Sequence, residues 1–214
     1  MSGQIIVIAQ QKGGSGKTTV AVNLATAFLS KGKSVALLDT DPQGSLGKWF
    51  MMRIEKFSEN PNLKFSTATA WGISYELRSL SKVVDFIIVD TPPKADSDLR
   101  PALRAADLIL VPLSASHVDL WATQDVLDLA DRVGKGAHIV MNRTRSDTRL
   151  GAEVADAVHE FDAKVLKSTL GSRVIFAEAL GLGLGVVEAK KNSIAALEVM
   201  ALADEVTASL LDSQ

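Results

Sequence analysis

The residues QQKGGSGKTT, Gln10 to Thr19, constrain this chain more than any other stretch. They lie between an apolar run, Ile5 to Ala9, and a segment in which Val20, Leu24, Ala27 and Phe28 recur at helical spacing. A strand, a glycine turn and a helix start, in that order, make a phosphate cradle. Glycines let backbone N–H groups curl round an anion, and the helix N-terminus adds its positive end. Gly16, Lys17 and Thr18 fit the end of the general pattern G-x-x-x-x-G-K-[ST], with Gly13, Gly14 and Ser15 in the turn before them. The beginning departs from it: Gln11 stands where the first glycine belongs, and a second lysine, Lys12, follows. A merely solvated, lysine-bearing loop has no need of an apolar strand on one side and an amphipathic helix on the other. As a phosphate site, the stretch places Lys17 on the β- and γ-phosphates, the Thr18 hydroxyl on Mg²⁺ and Thr19 at the α-phosphate.

Further apolar runs of strand length, Val35 to Leu38, Phe86 to Val89, Leu108 to Val111 and His138 to Met141, alternate with helical patterns. Strands that are apolar at every position are covered on both faces, which predicts an α/β fold with a doubly wound, mostly parallel sheet of the phosphate-loop NTPase kind. The 214 residues, 47% of them hydrophobic, suit one domain over 1–214, with the polar Ser58 to Leu63 segment as a surface turn inside it. The formal net charge of −2 excludes a globally basic surface, so any contact with nucleic acid must come from a local patch. The absence of cysteine excludes disulfides and cysteine-ligated metal, and no apolar run is long enough to span a bilayer, which points to the cytosol.

Three carboxylates stand where such a sheet would put them to use. The second strand runs into LLDTDPQGS, so Asp39 and Asp41 belong at the C-terminal edge, where open α/β sheets bind ligands. Asp39 would hold Mg²⁺ or the loop lysine through water; the alternative for this D-x-D-P is an Asx turn capping a helix that begins near Ser45. The run FIIVD ends at Asp90, which can take a water of the Mg²⁺ shell, and Pro92 and Pro93 stiffen the exit.

The form K-G-G-x-x-G-K-[ST]-[ST] resembles the deviant Walker A box of the ParA/MinD family of ATPases, and Lys12, Gly13, Gly14, Gly16, Lys17, Thr18 and Thr19 match it residue by residue. FIIVD resembles that family's Walker B strand. The likeness is specific as far as Asn142 and loose beyond it, and it is to the short ParA type that has no N-terminal helix-turn-helix domain. It implies an ATPase using ATP and Mg²⁺, in which Lys12 reaches across a homodimer to the partner's nucleotide and Asp41 orients the attacking water. It also implies that Asn142 reads the adenine edge, as an amide can by donating and accepting side by side, and that Pro112 shapes the opposite wall. A turn or helix cap is the other use for Asn142.

By the same likeness the ATP-bound dimer grips nucleoid DNA without reading sequence and lets go after hydrolysis stimulated by an adaptor of the ParB kind. The cargo would be a plasmid, a chromosome or a protein assembly. The candidate DNA contacts are Arg143, Arg145, Arg173, Lys190 and Lys191, with Arg173 foremost; the bland alternative for each, as for Arg149, Lys164 and Lys167, is an ordinary solvated face. A MinD-like positioning ATPase on a membrane is the competing function. The last helical pattern, Ser193 to Leu211, ends in acids without a lysine or arginine after Lys191, which argues against a membrane-binding tail. Gly181, Gly183 and Gly185 lack a Gly-Lys-Thr ending and are expected in packing turns, and the three histidines are too far apart to pair as ligands.

Overall fold

The computed structural model describes residues 2–57, 60–93, 96–145 and 148–212. Its elements, in chain order, are β1 (Gln4–Ile8), α1 (Lys17–Ser30), β2 (Val35–Asp39), α2 (Ser45–Phe57), β3 (Leu63–Thr67), α3 (Ile73–Leu80), β4 (Phe86–Asp90) and α4 (Asp96–Ala105). There follow β5 (Leu108–Ser114), α5 (His117–Arg132), β6 (Ala137–Thr144), α6 (Arg149–Ala157), β7 (Lys164–Gly171), α7 (Val174–Leu180), α8 (Val186–Ala189) and α9 (Ile194–Asp212). The strands form one sheet in the order β3-β2-β4-β1-β5-β6-β7, with every pairing parallel.

Side chains alternate across a strand, so a run such as Ile6, Val7, Ile8 serves two cores at once. Ile6 and Ile8, with Leu37, Ile88 and Leu110, pack beneath α1, α2 and the C-terminal helices α7, α8 and α9. Val7, with Leu38, Val89, Ile109 and Ile139, packs on the other face against α3, α4, α5 and α6. All of these strand residues are fully or almost fully buried, and this double cover is the physical content of the unbroken apolar runs. Gly32 takes φ +76° after α1 and lets Lys33 N–H reach back to Phe28 C=O, the expected helix ending.

Two strands were absent from the apolar runs. β3 and β7 are the sheet's two edges, and each carries exposed lysines, Lys64 on the first and Lys164 and Lys167 on the second. An edge strand needs less apolar cover, and charge on it discourages pairing with another chain. Of the expected surface turn, Ser58 and Glu59 lie outside the described residues; Asn60 turns the chain into β3 by accepting from the N–H groups of Asn62 and Leu63.

Because all strands run the same way, their C-terminal ends share one rim. Ile8 of β1 and Asp39 of β2 are both in register with Asp90 of β4. The two carboxylates and the start of the glycine loop are therefore neighbours before any side chain is placed.

Candidate nucleotide site

The turn between β1 and α1 depends on left-handed backbone at Gly14 (φ +80°) and Gly16 (φ +91°), which an L side chain rarely adopts. A side chain at Gly16 would also collide with the Asn142 amide, 2.4 Å from an ideal Cβ. Gly16 supplies no side-chain cap to α1, and the buried Ser15 hydroxyl has no partner among the described residues. A helix start without a side-chain cap keeps its N–H groups for an anion.

Lys17 is only 7% exposed. Burial lowers its pKa, opposed by the negative charges of Asp90 and Asp41. Among the described residues its ammonium has one hydrogen-bond partner, the Lys12 carbonyl at 3.5 Å, and it lines the cavity that the loop encloses. That cavity, about 320 Å³, is lined by Gly13, Gly14, Gly16, Lys17, Thr18 and Thr19 of the loop together with Asp41, Ser45, Pro93, Arg143 and Leu180.

The Thr18 hydroxyl donates to Asp90 Oδ2 at 2.6 Å. Asp90 is 1% exposed, and among the described residues its other oxygen, Oδ1, is buried without a partner. Burial is the main force pushing its pKa up to about 7, with the Thr18 bond working the other way. A buried oxygen left unpaired costs free energy unless something fills its place. The Thr18–Asp90 pair fits Mg²⁺, a hard cation that takes few protein oxygens and completes its shell with water and phosphate.

Asp39 is arranged differently. Its two oxygens accept from the N–H groups of Asp41 (3.0 Å) and Gly47 (3.0 Å), so it ties down the turn and the first residues of α2. Burial raises its pKa, against those two bonds. Asp41 accepts from Gln43 N–H at 2.9 Å, the Asx turn weighed for this motif, and still lines the cavity. The turn and a place at the phosphates are compatible in one residue.

Lys12 does not project free of its own subunit here. Its ammonium is paired with Asp119, a buried acid in the first turn of α5 whose other oxygen accepts from Ser114 N–H at 3.1 Å. Asp119 did not stand out in the sequence as a partner, since nothing in local spacing links residues 107 positions apart.

At the far end, the Asn142 amide donates to Ser15 C=O at 2.8 Å, and its oxygen accepts from Arg143 N–H at 2.9 Å. Asn142 thus braces the phosphate loop from β6. Pro112 lies buried within β5, paired across to Val140, and its carbonyl accepts from the Gln10 amide at 3.4 Å. Arg143, the one non-glycine residue with positive φ (+53°) among those described, lines the phosphate cavity. It also lines a neighbouring cavity of about 360 Å³ with Thr19, Asn142, Arg145, Arg173 and Phe176. Arg173 is clamped to Glu198, at 2.7 Å from Nη2 and 3.3 Å from Nε. Lys190 and Lys191, exposed beyond α8, line neither cavity.

The sequence pattern of the CobQ/CobB/MinD/ParA nucleotide binding domain matches residues 6–186, nearly all of the geometry just described. The chain belongs to that family. Among its relatives, the maintenance of carboxysome distribution protein A of Halothiobacillus neapolitanus is 26% identical over 211 residues, covering 95% of this chain and 96% of that one. The chromosome-partitioning ATPase Soj of Thermus thermophilus is 27% identical over 241 residues, covering 97% of each. The septum site-determining protein MinD of Pyrococcus horikoshii, solved with Mg-ADP, shares the fold at a TM-score of 0.78 and 21% identity, with 99% of this chain and 98% of that one superposed.

Among the described residues no group of three or more His, Cys, Asp or Glu comes together to hold a metal by itself, and no helix is long and apolar enough to cross a membrane. A metal at Thr18 and Asp90 would therefore share its coordination with nucleotide and water.

Proposed function

We propose that the chain is a Mg²⁺-dependent ATPase whose ATP-bound state is a homodimer that holds DNA without sequence preference and releases it after hydrolysis, positioning a cargo. The observation that carries the ATPase half is the unpartnered Oδ1 of Asp90 beside the Thr18 hydroxyl, at the mouth of a loop with Lys17 turned inward. Gly13 to Thr19 bind the phosphates through backbone N–H groups, Lys17 spreads its charge over the β- and γ-phosphates, and Thr18 and Asp90 hold Mg²⁺. When bound, the metal supplies further positive charge to the phosphate oxygens as they take up charge in phosphoryl transfer. Asp41 holds the attacking water in line. Asp39 serves by fixing the turn that carries Asp41.

Lys12 couples the nucleotide to assembly. Within one subunit it is neutralised by Asp119. In the dimer it exchanges that partner for the triphosphate across the interface, so ATP favours the dimer by the difference between the two contacts. DNA then meets Arg145, Lys190 and Lys191, the candidates with no nucleotide-facing or clamped role, while Arg143 turns to the nucleotide. If the dimer neutralises about four phosphates, doubling the salt weakens binding roughly tenfold. The names of two relatives, one for carboxysome distribution and one for chromosome partitioning, support a cargo that is a protein assembly or a replicon. The test is DNA binding with ATP, ADP and no nucleotide. Asp41→Ala should trap the DNA-bound dimer and Lys12→Ala should never form it; DNA binding indifferent to nucleotide in all three proteins would end this assignment.

A further inference from the structure

Between the C-terminal half of α2 and the start of β3 lies a cavity of about 610 Å³ that shares no lining residue with the phosphate cavity. The strands are parallel, so the start of β3 is the end away from the phosphate rim. Phe50, Ile54, Phe57, Pro61 and Leu63 form its apolar wall. Phe50 stacks on Phe65, at 4.7 Å between ring centroids, while Phe57 is 46% exposed and leaves ring surface open. A concave site of roughly 300–1,000 Å³, walled by apolar and aromatic side chains with a few converging polar groups, is the usual form of a small-molecule site.

Arg53 decides what that molecule is. It lines the cavity and is only 6% exposed. A guanidinium carries five N–H donors in a flat fork. Nη1 spends its two on Glu188 Oε2 (2.9 Å) and Gly183 C=O (3.1 Å), and Nη2 spends one on Glu188 Oε1 (2.7 Å). Among the described residues nothing accepts from Nε or from the second Nη2 hydrogen. Those two donors lie side by side on one edge of the plane, where a carboxylate can accept with both oxygens at once. Glu188 already balances the Arg53 charge, so net attraction for an anion comes from Lys64. That lysine lines the cavity, is exposed, and has no ion pair among the described residues. Asn60 spends its side-chain oxygen on Asn62 N–H at 2.9 Å, which leaves its amide hydrogens to give. Among the described residues no acid lines the cavity. Unspent donors and a free cation against aromatic walls suit an anion with an apolar body. A sugar phosphate, polar on every side, would leave those walls unused.

We propose that this cavity is a second ligand site, for a small carboxylate with an apolar ring or chain. Its two oxygens sit on the Nε and Nη2 edge of Arg53, and its apolar part lies against Ile54 and Phe57. Such a site exists whether or not the chain hydrolyses ATP. Isothermal titration calorimetry of the full chain tests it with 1-naphthaleneacetate for the ring and decanoate for the chain. The matching amide, 1-naphthaleneacetamide, is the control, and each titration is repeated with saturating ADP and Mg²⁺. At least one of the two carboxylates should bind about tenfold or more tightly than the amide, with or without ADP; the tighter of them tells a ring from a chain. Arg53→Lys keeps a cation beside Glu188 but loses the fork, and should weaken binding about tenfold or more. Lys64→Glu and Phe57→Ser change exposed side chains, leave the fold in place, and should each weaken it measurably. Amide binding as tight as carboxylate binding would overturn the site. So would binding lost on adding ADP, which places the probe in the phosphate loop, affinity indifferent to both Lys64→Glu and Phe57→Ser, or no heat from either carboxylate at millimolar concentration. A chain that binds the carboxylate yet takes up no ADP would refute the proposed nucleotide site and leave this one standing.

Discussion

The two halves of the sheet's C-terminal rim are built on opposite plans. On the β1, β2 and β4 side, the phosphate end leaves polar groups unspent: among the described residues Ser15 Oγ and Asp90 Oδ1 are buried without partners, and Lys17 has one long hydrogen bond to a carbonyl. On the β6 and β7 side, the groups expected to read a base or grip DNA are largely spent: Asn142 on the phosphate loop and its own backbone neighbour, Arg173 on Glu198. Unsatisfied buried groups are costly, and two of them beside one glycine loop are what a bound anion and its cation would satisfy. Asn142 and Arg173, partnered within the fold, hold the loop and the C-terminal helix in the form described.

The difference can be broken at several points. The largest effect is expected at Lys17→Ala, which removes the cation aimed at the transferred phosphate and should lower ATP hydrolysis by about 10²–10³-fold, a loss typical of one preorganised electrostatic group. Steady-state phosphate release measures it. Asn142→Ala should instead act on the fold. It strands the buried Ser15 carbonyl and is expected to cost about 1–3 kcal/mol in urea unfolding. If Asn142 were only a base reader, stability would hold and the preference for ATP over GTP would fall.

Asp90 gives a pH signature. Mg²⁺ needs the ionised carboxylate, and with a pKa of about 7 in the free protein the ionised fraction drops as pH falls from 7 to 6. Mg²⁺-dependent nucleotide affinity should weaken about fivefold over that unit, and calorimetry in buffers of different ionisation heat should show proton release. The stability consequence has the opposite sense. A carboxyl raised in the folded state imposes no penalty below its unfolded value near 4, an increasing penalty as pH rises toward about 7, and the full penalty above that. Without nucleotide, Asp90→Asn should therefore be more stable than wild type above pH 7 and not below pH 4. Arg173→Ala is the smallest expected change. Its ion pair with Glu198 is at the surface, so unfolding should shift by under about 1 kcal/mol. DNA affinity in the ATP state should scarcely move. A clear loss of DNA binding there would show that the Glu198 clamp opens and that the two halves of the rim are more alike than they look.

How much of this was legible in the chain follows from how local each signal is. The phosphate loop, the three acids and five strands were readable because each is written in consecutive residues: glycines where φ is positive, an acid closing an apolar run, unbroken apolarity where both faces are covered. β3 and β7 escaped because edge strands are half solvated and carry lysine. The Asp39 bonds to Asp41 and Gly47 were half legible, since an Asx turn was one of two uses for D-x-D-P. The Lys12 to Asp119 pair, the Asn142 brace and the anchoring of α2 by Arg53 to Glu188 were not. Each joins residues more than a hundred positions apart that only the packing of the whole fold brings together, which single-sequence patterns do not encode. Arg143, a candidate DNA contact by likeness to the family, lines the cavity beside the glycine loop, a placement that nothing in its neighbouring residues signals.

The central claim is that Lys12 changes partners, from Asp119 in its own subunit to the triphosphate of another. Sedimentation equilibrium with Mg²⁺ and a non-hydrolysable ATP analogue tests it most directly. Wild type should shift from monomer to dimer on adding the analogue, while Lys12→Ala, still binding the analogue through Lys17, stays monomeric. A Lys12→Ala protein that dimerises as readily as wild type would contradict it.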